Sequence, residues 1–229
     1  MNQYQQPTQY QDHSTSGAVV RNRVLRNTYM LLAISMIPTV IGAWLALKLG
    51  LNQLFSPGVS MIIFFAGAFG LMFLVERNRN SAAGVGFLLL FTFFMGMMLS
   101  RMLGFVLSLN DGANLIMLAF GGTAAIFATM AAVATTAKRD FSNMTKTLLI
   151  GAVIIIVAAI ANVFLMIPAL TLTISVLAIV IFSAFLLVDI QRIVNGGETN
   201  YISATLSVYL SLYNIFASLL SILGITSND

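Results

Sequence analysis

The group best placed for chemistry in this chain is the carboxylate of Asp189. Of the seven Asp and Glu residues it comes closest to lying inside an apolar run, and Gln191, Arg192, Asn195 and Glu198 follow it closely. Such a carboxylate has two possible roles. Held by Arg192 three residues on, it is an interfacial ion pair worth a few tenths of a kcal/mol. Partly desolvated, it is a proton sensor or a weak ligand for a cation such as calcium. A second feature stands just beyond it. Ser207, Ser211, Asn214, Ser218 and Ser221 recur at 4-3-4-3 spacing. That spacing puts all five on one face of a helix. The face is either a packing seam with interhelical hydrogen bonds or a wet, ion-lined path.

Other chemistry finds little support. There is no cysteine, so thiol nucleophiles, disulfides and thiolate metal sites are excluded. The single histidine, His13, lies in a polar terminal stretch, so a serine nucleophile lacks its base. An intramembrane aspartyl protease needs two facing carboxylates, and only Asp189 is a candidate. No HExxH, Walker loop or GxSxG occurs. The expectation is a protein that is not an enzyme, with no catalytic residue, no cofactor and no metal beyond the weak calcium candidate at Asp189.

The elements that position these residues are membrane helices. The chain of 229 residues is 59% hydrophobic and 8% charged, with a mean hydropathy of +0.96. Apolar runs of about 20 residues place it in the membrane class. The net charge of +4 comes from short basic clusters between apolar runs. That pattern marks topology, not nucleic-acid binding. Residues 1–20, with five Gln, read as a disordered polar tail. Residues 21–229 read as one all-α domain of seven transmembrane spans, at about 28–47, 59–75, 82–107, 113–136, 148–167, 170–188 and 202–224.

Arg101 interrupts the third span and is expected to snorkel outward. In the fourth, Gly121, Ala125, Ala128, Ala132 and Thr135 share one face, where neighbouring backbones should approach closely. Arg21, Arg23, Arg26, Arg77, Arg79, Lys138, Arg139, Lys146 and Arg192 fall on one side, against Lys48 on the other. The bias puts the N-terminus in the cytoplasm and the C-terminus outside. Because lipid does not drive apolar faces inward, the small, polar face of the seventh helix should be the buried one. That helix is expected at the centre, surrounded by the other six.

Three segments carry a resemblance. They are the fourth-span exit Thr135 to Ser142, the pair Asp189 and Gln191 after span six, and the ending Tyr209 to Gly224. These resemble the Bax inhibitor-1 family of seven-helix membrane proteins. The runs Val24 to Tyr29 and Gly196 to Ile202 look most like its bacterial YccA branch. The resemblance implies an inner-membrane protein that binds and restrains the membrane-anchored ATP-dependent protease FtsH. It also implies an alternative, a pH-sensitive calcium or cation leak gated by two aspartates on the last two helices. Asp189 matches the first of these, and Ser211 stands in place of the second.

Overall fold

The computed structural model describes residues 13–51, 54 and 56–227, with side chains from residue 21 onward. Most of the polar terminal stretch therefore lies outside the described residues, as does the side chain of His13. Among the described residues there are seven long helices: α1 (His13–Lys48), α2 (Pro57–Arg77), α3 (Ala82–Leu107), α4 (Gly112–Thr136), α5 (Thr145–Leu165), α6 (Pro168–Val194) and α7 (Tyr201–Thr226). Each is long and apolar enough to cross a membrane. No strand is present among these residues.

Several boundaries differ from the sequence expectation, three of them as follows. α1 begins at His13, inside the stretch read as a tail. α5 ends at Leu165, because Met166 turns into the left-handed region (φ 53°) ahead of Pro168. α6 runs on to Val194, so Asp189, Gln191 and Arg192 are helical residues and not part of a turn. The turn itself begins after Asn195. Gly196 takes φ 78°, its N–H bonds the carbonyl of Ile193 at 3.1 Å, and Gly197 N–H bonds that of Arg192 at 2.8 Å. This pair of bonds is the Schellman closure, which favours glycine at the left-handed position. Gly196→Ala should cost about 1–2 kcal/mol, measured as a lowered midpoint in detergent unfolding.

α7 is the hub. From Tyr201 to Ile225 every residue is buried or half-buried. α1, α2, α3, α4 and α6 lie against it, and α5 packs behind α6. The core gathers Leu206, Tyr209, Leu212 and Ile215 of α7 with Leu31, Leu32, Leu88, Phe91, Met95, Leu186 and Ile190 from its neighbours. Large apolar side chains on the outside, such as Trp44, Phe120, Ile154 and Phe164, face what must be lipid.

The closest crossing is between α1 and α3. A Cβ on Gly96 would fall on the Thr39 carbonyl, and one on Gly42 on the Phe93 carbonyl. Small residues here let two backbones touch. The small face read on α4 does not do this. Gly121, Ala125, Ala128, Ala132 and Thr135 are all exposed. α4 instead buries Ala119, Thr123 and Ala134, with Ile126, Phe127 and Met130 packed at the core's margin.

Candidate functional site

At the end of the bundle bearing most of the basic residues, a small recess is lined by Asp189, Arg192, Glu198, Ala204 and Ser207. It has room for about one water molecule. Asp189 and Arg192 come from the last two turns of α6, Ala204 and Ser207 from the start of α7, and Glu198 from the turn between. The two sensing candidates are thus brought together, but not as a close pair. Among the described residues the ion pair within 4 Å is Arg79–Glu76, at 3.4 Å. Asp189 is half-buried and Arg192 is exposed. Of the five stripe residues only Ser207 reaches the recess. Ser211 is one turn deeper, buried at 3% exposure. The second carboxylate on the recess is therefore Glu198, which the residue spacing had left unassigned.

The other stripe residues are enclosed without bridging helices. Ser218 is buried, Ser221 and Asn214 are half-buried, and Asn214 donates to the Leu210 carbonyl of its own helix at 2.8 Å. The polar contacts of α7 with its neighbours are made by different residues. Tyr209 Oη and Thr39 Oγ1 of α1 lie 2.9 Å apart. The Tyr213 hydroxyl donates to the Met95 carbonyl of α3 at 3.4 Å. The Thr205 hydroxyl is 3.4 Å from the Thr28 carbonyl of α1. Tyr209 also stacks on Tyr213 and meets Phe91 edge-on, with centroids 6.2 and 5.9 Å apart. An aromatic residue in an apolar helix gives no hint from sequence of which backbone its hydroxyl will reach.

Around the recess, three polar anchors tie the loops to α6 and α7. Asn200 caps α7, its Oδ1 accepting from Ile202 N at 2.9 Å and Ser203 N at 3.2 Å. Its amide also donates to the Arg79 carbonyl and Asn80 Oδ1, both at 2.9 Å, in the α2–α3 turn. The Ser203 hydroxyl donates to Glu76 at the end of α2, at 3.0 Å. Gln191, 2% exposed, grips the loop after α4. Its Oε1 accepts from Phe141 N at 2.8 Å and its Nε2 donates to the Arg139 carbonyl at 2.7 Å. The sequence marked Gln191 only as part of a pattern with Asp189. Asn200→Ala should cost about 1 kcal/mol through the lost cap. It should also raise protease cleavage in the α2–α3 turn, read by limited proteolysis.

Arg101 is exposed near the opposite end and donates to Ser60 Oγ at 3.2 Å, linking α3 to α2. Among the described residues no group of three or more His, Cys, Asp or Glu converges as a metal cage would require.

Residues 21–228 match the family described as inhibitor of apoptosis-promoting Bax1. The chain is 41% identical to the modulator of FtsH protease YccA of Escherichia coli K12, over 95% of this chain and 96% of that one. It is 41% identical to an uncharacterized protein of Neisseria meningitidis serogroup A, over 91% of this chain and 93% of the relative. It is 40% identical to an uncharacterized membrane protein of Vibrio cholerae, over 91% and 92%. An E. coli relative is named an inner membrane protein. With seven apolar helices built around α7 as the hub, these likenesses make the chain a multi-pass inner-membrane protein that belongs to the Bax inhibitor-1 family.

Proposed function

We propose that this protein modulates FtsH by binding it within the inner membrane and restraining its proteolysis of membrane substrates. The observation that carries the reading is the 41% identity, over nearly the full length, to a protein named as a modulator of FtsH protease. The architecture supports it in two ways. The basic end, which the charge bias would put in the cytoplasm, knits four segments together through Gln191, Asn200 and Ser203. A bundle tied in this way would resist extraction by a processive unfoldase. The polar residues ahead of α1, on the same side under that bias, would give such a machine something to hold.

The test is turnover. Deleting the gene should shorten the half-life of a slowly degraded membrane substrate of FtsH about twofold or more, and re-expression should restore it. A variant lacking residues 2–12 should insert normally but fail to restore it. Unchanged half-lives in the deletion strain would defeat the reading.

A further inference from the structure

The loop between α4 and α5 presents cations that the FtsH reading does not use. Lys138 and Arg139 follow α4, and Lys146 lies in the first turn of α5. All three are exposed. The loop that carries Lys138 and Arg139 is held in place: Gln191 bonds it at the Arg139 carbonyl and the Phe141 amide, and the Arg139 guanidinium sits 5.9 Å from the centre of the Phe141 ring. Its one carboxylate, that of Asp140, is exposed but bonded within its own turn. Asp140 Oδ1 accepts from the Ser142 hydroxyl at 2.6 Å and the Ser142 amide at 2.9 Å. Those two bonds hold its carboxyl below the usual range, so it stays ionised while spent on its own turn. Arg192 differs, because it shares its recess with Asp189 and Glu198.

The surface that continues from these cations is apolar. Leu149, Ile150, Val153, Ile154 and Val157 are each more than half exposed. They stand 3, 4, 7, 8 and 11 residues after Lys146, so they share its face of α5. A cationic group therefore crowns a strip of branched aliphatic side chains about three turns long. A free phosphate would use the crown and ignore the strip. An acidic protein segment would likewise have no use for it. A phospholipid uses both, its phosphodiester on the cations and its acyl chains along α5.

We propose that Lys138, Arg139 and Lys146 form a headgroup site for an anionic phospholipid, with the exposed face of α5 as its acyl track. Phosphodiester oxygens suit guanidinium and ammonium donors. Basic clusters at helix ends attract anionic headgroups by about 1 kcal/mol per cation. Gln191 acts as a positioning residue, presenting the loop without touching the lipid.

The test uses the full chain in neutral detergent and native mass spectrometry, titrated with phosphatidylglycerol or phosphatidylcholine. Phosphatidylglycerol should be retained and phosphatidylcholine should not. The triple variant Lys138→Gln, Arg139→Gln, Lys146→Gln should weaken retention about tenfold or more. The triple variant Arg21→Gln, Arg23→Gln, Arg26→Gln removes the same charge elsewhere and should leave it within about twofold. Gln191→Leu keeps every cation and should still weaken retention several-fold. Competition by inorganic phosphate at equal concentration should be negligible. Equal binding of the two lipids, equal loss in both triple variants, or full displacement by inorganic phosphate would each overturn the site.

Discussion

Replacing Gly96 with leucine should abolish recovery of folded protein, whereas the same change at Gly121 should be tolerated. The two glycines sit in similar apolar helices, and the difference lies in what each faces. A side chain on Gly96 would enter the Thr39 carbonyl, a backbone group that cannot swing aside. The reciprocal contact, Gly42 on the Phe93 carbonyl, means that α1 and α3 cannot part at one point without losing the other. Since this pair of helices shares the most extensive contact in the bundle, separation would expose the core side of both. Overpacking at a site that can relax costs about 1–3 kcal/mol, and this site has little room to relax. Gly121 has nothing within 4 Å and faces outward. Fluorescence-detected size exclusion in detergent separates the outcomes: a lost monodisperse peak for Gly96→Leu, a retained one for Gly121→Leu.

The second large effect is at Tyr209. Its ring is 1% exposed, at the meeting point of α1, α3 and α7. Tyr209→Ala should cost about 3–5 kcal/mol, the range for emptying a large aromatic site that cannot collapse. Tyr209→Phe keeps the ring and loses only the hydroxyl contacts with Thr39 and, at 3.5 Å, the Thr92 carbonyl. Interhelical hydrogen bonds in membranes average about 0.6 kcal/mol, so the phenylalanine variant should unfold near the parent midpoint. Unfolding in detergent with a titrated denaturant checks both. If the phenylalanine variant proved as damaged as the alanine one, the hydroxyl and not the packing would hold this junction.

The helix count and the central place of α7 were legible because they rest on solvent preference. Apolar runs must span, and a helix with a polar face must be enclosed by others. The α4 stripe misled for a related reason. α4 is so rich in Gly, Ala and Thr that more than one face satisfies a 4-3 pattern, and Ala119, Thr123 and Ala134 supply the face that packs. Asp189 stood out in the sequence, but the set of residues that lines the recess with it did not. Its companions Glu198 and Ser207 depend on the Gly196 turn and on the angle at which α7 leaves it. Ser211, the position that the family resemblance stressed, lies off the recess. Gln191 could not be assigned from spacing alone, since its partners are backbone groups about 50 residues away.

The recess bears on the leak alternative through one comparison. Asp189→Asn and Glu198→Gln remove its two carboxylates. Under the modulator account neither should change substrate turnover by more than about twofold, because neither lies on an outward face built for a partner. A leak account places its effect there.

The central claim is physical association with FtsH, and the most direct measurement is isolation of this chain from inner membranes at its native level, followed by quantification of FtsH in the eluate. The account predicts FtsH well above the level recovered with an unrelated seven-helix protein of equal abundance. It also predicts that the association survives Asp189→Asn. FtsH at the background level, in gentle detergent and after in-membrane crosslinking alike, would contradict it.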